Sequence, residues 1–242
     1  MFRNNVWYKR FGWKRNPFSI KINDSVFVGL TEERRILANL VEGGNICMII
    51  GDNGVGKSSL LKWLEKRVRK HYFVYLSAEW VKNNFDLNGF IDKQKSFFGN
   101  YPKNIVLLVD ESQKLENWFR IEIQALWEKN IVKGIVFSHD GEGQYENLPN
   151  QLKSRISNRI IRINRLKKED AYELIRLRCG GKNPFDEYAM DEVIKRSNGN
   201  PRKILENCER VCISTDKDKI SKYEAARILD NVPDLSLKIK KS

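Results

Sequence analysis

Histidine and cysteine are scarce in this 242-residue chain, which has two of the first and four of the second. Cys47, Cys179, Cys208 and Cys212 form no C-x-x-C pair and have no histidine at metal-ligand spacing, so a thiolate or imidazole metal centre is not expected. Cys208 and Cys212, set among Ile204, Leu205 and Val211, read as core thiols, a usage that fits a reducing, cytoplasmic setting. Long apolar runs are missing too. None approaches the ~20 residues that span a bilayer, and the basic start lacks the apolar centre of a signal peptide. No membrane partner is expected. Internal repeats and low-complexity linkers are also absent. Acidic side chains are in deficit, 31 against 44 Lys and Arg, and none occurs before Asp24.

That imbalance leaves a net charge of +13. A polyanion, most simply nucleic acid, is the partner it suggests; a solvated basic surface is the plainer alternative. Residues 1–24 concentrate the pattern, with Arg3, Lys9, Arg10, Lys14, Arg15 and Lys21 among Phe2, Trp7, Tyr8, Phe11, Trp13 and Phe18. Such an arm either packs its aromatics on the core with its cations in water, the favoured reading, or stacks on bases and contacts phosphates.

A helix over Glu32–Leu40 is expected to lead into an apolar strand, Asn45–Ile50. Further strands are expected at Tyr72–Leu76, Ile105–Val109, Gly134–Phe137 and Arg159–Ile163, alternating with helices. The runs at 105–109 and 134–137 are apolar throughout, as strands covered on both faces of a parallel sheet are. The β pattern stops near Asn164. Three or four short amphipathic helices follow, near Glu169–Arg178, Glu187–Lys195, Pro201–Ile213 and Lys222–Leu229. The fold class is therefore α/β, a three-layer sandwich around a parallel five-stranded sheet with a small C-terminal all-helical lid. The expected divisions are an arm (1–24), an α/β core (25–165), a small helical domain (166–232) and a basic tail (233–242).

Residues 51–58 read Gly-Asp-Asn-Gly-Val-Gly-Lys-Ser, a complete G-x-x-x-x-G-K-[ST] phosphate-binding loop. It lies between an apolar strand and a helix with Leu60, Leu61, Leu64 and Val68 on one face. Gly51, Gly54 and Gly56 let the backbone curl, so that amides from Asn53 through Val55 to Ser59 can cradle phosphate oxygens. Lys57 is expected on the β- and γ-phosphates and Ser58 Oγ on Mg²⁺. Asp110 and Glu111 end a buried strand. The carboxyl ends of strands in an open α/β sheet share one edge, so both acids can converge on the same nucleotide. Asp110 would hold Mg²⁺, directly or through water, and Glu111 would polarise the attacking water. Ser138 ends another strand, where its hydroxyl can reach the γ-phosphate or that water; His139 beside it reads as a loop residue. Arg155, with Arg159 in reserve, is a candidate arginine finger for a neighbouring subunit. Asn200 and Pro201 read as a helix N-cap and first turn, which sets Arg202 against the helix macrodipole and suggests an anion nearby.

In this order the motifs resemble those of AAA+ ATPases over nearly the whole chain, and more narrowly the archaeal replication-initiator branch, similar to origin-recognition and DnaA-type proteins, including small viral or plasmid versions. Asn16-Pro17-Phe18 followed by Val26-Phe27-Val28-Gly29 resembles the family's entry segment over the adenine. Gly51–Ser58 matches Walker A, Asp110-Glu111 Walker B, Ser138 sensor 1 and Gly199–Arg202 sensor 2. Leu30 and Gln151 depart from the initiator pattern, and the trans arginine moves to Arg155 by analogy with clamp loaders. The sequence stops shortly after the lid, so the winged-helix domain usual for initiators, and sequence-specific origin recognition with it, is not expected.

The resemblance implies ATP and Mg²⁺ between core and lid, hydrolysis at subunit interfaces of an ATP-bound homo-oligomer, DNA held through its phosphates, and a replication or recombination protein as a further partner. It also implies a cytoplasmic location, the host's if the chain is viral. A transposition-type ATPase regulator, a nucleotide-gated scaffold with little turnover and a small-molecule kinase are the alternatives. Against the kinase, there is no arginine-rich lid for a second nucleotide, and a glutamate beside the Mg²⁺ aspartate favours water as the nucleophile.

Overall fold

In a computed structural model of the chain, residues 7–21, 27–82, 84–141 and 148–231 are described. Phe2, Arg3 and Val26, named above, and the tail 233–242 lie outside them. The chain divides into two compact units, Leu30–Asn164 and a second that joins Met1–Gly29 to Arg165–Ser242.

The Leu30–Asn164 unit runs α1 (Thr31–Glu42), β1 (Ile46–Gly51), α2 (Lys57–Arg67), β2 (Tyr72–Ser77), α3 (Leu87–Asp92), β3 (Ile105–Asp110), α4 (Asn117–Glu128), β4 (Gly134–Asp140), α5 (Asn150–Ile156) and β5 (Ile160–Arg162). Its five strands lie in the order β2-β3-β4-β1-β5, parallel throughout. Side chains alternate across a strand, and the two faces are filled differently. Met48, Ile50, Leu107, Val109 and Phe137 pack with Ile91 of α3, Phe119 and Ile123 of α4, and Leu152 and Ile156 of α5. Cys47, Ile49, Val106, Leu108 and Val136 point the other way and are also buried, on the side where α1 and α2 meet the sheet. Burying each such side chain contributes roughly 1.5–3 kcal/mol. The edge strand β2 shows the half-exposed alternation that the central strands lack.

The strand ends matter most for the site. Gly51 lies beside Asp140 and Ser77 beside Asp110, so four carboxyl ends form one edge. β4 runs on through Ser138 and His139 to Asp140 because it pairs with β1 along its whole length. His139 is therefore a buried strand residue opposite Ile50, not the loop residue expected.

The other unit holds α6 (Lys168–Cys179), α7 (Glu187–Ser197), α8 (Pro201–Ser214) and α9 (Lys222–Asp230). Side-chain caps start three of them: Asp186 accepts from Ala189 N–H at 2.6 Å, Asn200 from Lys203 N–H at 3.2 Å and Ser221 from Glu224 N–H at 3.4 Å. Residues 7–21 of the basic aromatic arm pack into this unit. Trp13 and Phe18 are buried with Phe185, Cys208 and Val211, and Trp13 donates its indole N–H to the Cys179 carbonyl at 3.0 Å. Arg10 donates to the carbonyls of Cys212 and Thr215, where α8 ends. A cation at a helix C-terminus is favourably placed, so this cation serves the fold. Cys47, Cys179, Cys208 and Cys212 are all buried and unbridged, and burial pushes the Cys47 and Cys179 thiols up to about 12.

Candidate functional site

Between β1 and α2 the chain turns through Gly51–Gly56. Gly56 has φ 112° immediately before the helix, a conformation that side chains other than hydrogen rarely adopt. Gly51 is glycine for a different reason: a Cβ there would lie 2.5 Å from the Ile163 carbonyl oxygen and 2.9 Å from Val55 Cγ2. The first turn of α2, Lys57–Ser58–Ser59, has N–H groups that no carbonyl of its own helix can accept, and the macrodipole adds partial positive charge there. Asn53, Gly54 and Val55 complete the curve.

Lys57 is buried. Its ammonium donates to the carbonyls of Gly51 at 2.8 Å and Asp52 at 2.9 Å, and to the Asp140 carboxylate. Three donors thus meet three acceptors, two of which belong to the loop itself. Asp140, which ends β4, carries no recognisable motif. What could have found it is position: it closes an apolar strand at the same edge as Asp110.

Asp110 is buried, and three groups fix it. Oδ1 accepts from the Ser138 hydroxyl and from Glu111 N–H at 3.1 Å, and Oδ2 accepts from the Tyr75 hydroxyl. Burial and the Asp110 carboxylate together push the Tyr75 phenol far above its ordinary value, so it stays a donor. Ser138 Oγ also accepts from Glu111 N–H at 3.1 Å. Ser138 therefore orients the acidic pair from below. Glu111 has φ 56°, a left-handed conformation that is uncommon for such a residue. The turn lifts its carboxylate away from the strand, to within 2.7 Å of Lys114 Nζ; Lys114 also reaches Glu79 at 2.8 Å. Tyr75, Lys114 and Glu79 were not legible as site neighbours, since each sits in an ordinary amphipathic context.

Behind this edge lies a second polar layer. Ser112 Oγ and His139 Nδ1 are 2.9 Å apart, both buried. Buried Arg120 donates to the Ser112 carbonyl from Nε at 3.0 Å and Nη2 at 2.8 Å, and Gln113 Oε1 accepts from Asp140 N–H at 3.1 Å. Burial first, then the nearby Arg120 guanidinium, lowers His139 to about 4, so the imidazole is neutral at physiological pH.

The donor set suits a magnesium–triphosphate complex. Amides, an ammonium and a helix N-terminus favour phosphate; the Ser58 hydroxyl and one oriented carboxylate are hard oxygen ligands of the kind Mg²⁺ takes when phosphates supply the rest. Among the described residues no group of three or more His, Cys, Asp or Glu could hold a metal ion.

The candidate arginines are each placed by contacts within their own unit. Arg155, on α5, is half exposed, pairs with Glu128 at 3.1 Å and stands over the Trp127 ring at 5.8 Å. Arg159 donates to the Arg155 carbonyl at 3.2 Å. Arg202 is exposed in the first turn of α8, in the helical unit, next to the Asn200 cap.

No protein-family model matches the sequence, and no curated protein matches it either. Among solved structures the chain is similar to the Thermotoga maritima RuvB Holliday junction branch migration motor, with a TM-score of 0.66 and 17% identity over 88% of this chain and 72% of that one. It is similar as well to the Aeropyrum pernix ORC1 protein in complex with DNA (TM-score 0.69, 12% identity, 88% and 68% of the two chains). A third likeness is to Drosophila ORC bound to DNA (TM-score 0.64, 16% identity, 88% and 63%). At these identities the likeness is one of fold. No helix among the described residues is long and apolar enough to cross a membrane.

Proposed function

We propose that the chain is a DNA-associated AAA+ ATPase that binds ATP with Mg²⁺ and hydrolyses it to ADP and phosphate. The observation that carries this reading is the meeting of two groups at one sheet edge. One is the Gly51–Ser58 loop with its lysine; the other is Asp110-Glu111, held by Ser138 and Tyr75. A loop for phosphate alone would serve many functions; a phosphate loop beside a buried aspartate and an outward glutamate suits attack by water.

In this reading the amides of Asn53–Ser59 grip the β- and γ-phosphates. Lys57 exchanges its Asp140 partner for a phosphate oxygen while keeping the Gly51 and Asp52 carbonyls. Ser58 and Asp110 hold Mg²⁺, which when bound neutralises charge on the phosphates. Glu111 orients a water and accepts its proton. Arg155 acts on the nucleotide of an adjacent subunit after giving up Glu128, and Arg202 is a further cation directed at phosphate. The +13 charge and fold relatives solved with DNA support association with nucleic acid, mainly through its phosphates. Replication initiation or maintenance of an archaeal or viral replicon is the setting we assign, with a soluble cytoplasmic location.

ATPase assays test the site. Glu111→Gln is expected to lower kcat about 10²–10⁴-fold, the usual worth of a general base, while still binding ATP. Lys57→Ala is expected to lose both turnover and the thermal protection that ATP–Mg²⁺ gives. Normal turnover in either variant overturns the assignment.

A further inference from the structure

Phe97 and Phe98 are the most exposed large apolar side chains among the described residues, 99% and 86% open. They occupy a turn between α3 and β3 in which Ser96 N–H donates to the Asn100 carbonyl at 2.8 Å and Gly99 N–H to Ser96 at 2.9 Å. The two rings stand edge to face, 5.7 Å apart. Leaving two phenylalanines in water forgoes roughly 1.5–3 kcal/mol each, and no other apolar side chain among the described residues covers them. Cations surround the turn. Lys93 and Lys103 are exposed, and Lys95 bridges to Asp92 at 2.9 Å with its ammonium over the Tyr101 ring at 4.6 Å. Tyr101 and Lys103 then line a cavity of about 640 Å³ shared with Trp127 and Lys133, at the amino ends of β3 and β4. Asp92, bonded to Tyr101, and Glu128, which lines the cavity, are both paired with cations.

We infer that this turn and cavity form a binding platform for single-stranded nucleic acid, on the sheet edge opposite the phosphate loop. Bases stack on Phe97 and Phe98, and Lys93, Lys103 and Lys133 take the phosphates. The form of the polymer follows from the energetics: two rings at the tip of a turn stack directly on the open base faces of a single strand, whereas a duplex must first be unstacked, at a few kcal/mol per step. A protein partner fits the surroundings less well, since lysine is depleted at the centres of protein interfaces. The inference rests on the DNA-associated reading above and adds which strand form is held and by which residues.

The test compares oligo(dT) with a duplex of equal length by fluorescence anisotropy across a salt series. Phe97→Ala/Phe98→Ala, exposed enough to leave the fold intact, is expected to weaken oligo(dT) binding at least tenfold, at about 1–3 kcal/mol per stacked base. Duplex binding and basal ATPase stay unchanged. Lys93→Ala/Lys103→Ala weakens both ligands and flattens the salt dependence for oligo(dT) by roughly 0.7 per lost contact. Crosslinking of iodouracil-substituted oligo(dT) is expected to map to residues 97–101. If the phenylalanine variant binds oligo(dT) as wild type does, this inference falls and DNA association stands. If wild type binds neither ligand at low salt, DNA association falls and this inference with it. Equal oligo(dT) binding together with loss of sedimentation on neutral phosphatidylcholine vesicles would make the turn a lipid contact and overturn the proposal.

Discussion

His139 shows how one side chain can set the pH range of a fold. In the folded chain its imidazole titrates near 4, against 6.5 when unconstrained. Between those values the unfolded chain binds the proton and the folded chain does not, so stability rises with pH. The contribution is complete above about 6.5, diminishes as pH falls and is gone below about 4. Its size is on the order of 3 kcal/mol. Thermal melts across that window should show Tm dropping steadily in wild type, and His139→Asn should remove much of the slope. An unchanged slope would mean that the carboxylates alone drive acid unfolding. The same residue marks a limit of reading the sequence. Ser138 read as the end of an apolar strand and His139 as a loop residue, because the apolar pattern stops at Phe137. Strand pairing with β1 does not stop there, and it buries Ser138 and His139 against Ser112 and Asp110.

At the scale of elements, the α/β alternation and the helical C-terminal segment were legible because continuous apolar runs and 3.6-residue periodicity are strong signals. So was the sharing of one edge by the Gly51–Ser58 loop and Asp110-Glu111, since parallel strands force it. Less legible was what rests on contacts distant in sequence, such as Tyr75 on Asp110 or Lys57 on Asp140, which no local pattern encodes. The end of β1 fits closely against the residue that follows β5. Gly51→Ala would drive a methyl into the Ile163 carbonyl, and overpacking of that kind costs roughly 1–3 kcal/mol. Because Gly51 opens the loop, the variant should lose both Tm and its rise with ATP–Mg²⁺. A variant that keeps the rise would show that the loop can form without this close approach. Helix starts are more tolerant: Asp186→Ala should cost only about 1 kcal/mol, the usual worth of an N-cap, as a Tm shift with no change in turnover.

For the whole molecule, the proposal that subunits share catalysis makes a distinct prediction. Lys57→Ala lacks a phosphate cation in its own loop; Arg155→Ala lacks the cation proposed to act on a neighbour. Mixed in varying ratio, the two inactive proteins should regain part of the wild-type ATPase, because some interfaces then carry both residues. No recovery at any ratio would confine Arg155 to its observed pairing with Glu128. The deep placement of all four cysteines has a practical consequence for such work. Each thiol is enclosed by apolar packing and holds its proton tightly, so reagents that attack thiolates meet an inert native background. Attachment points introduced as Lys70→Cys in the sheet unit and Asp218→Cys in the helical unit would then carry the only dyes on the molecule, and energy transfer between them could follow the spacing of the two units through a nucleotide cycle.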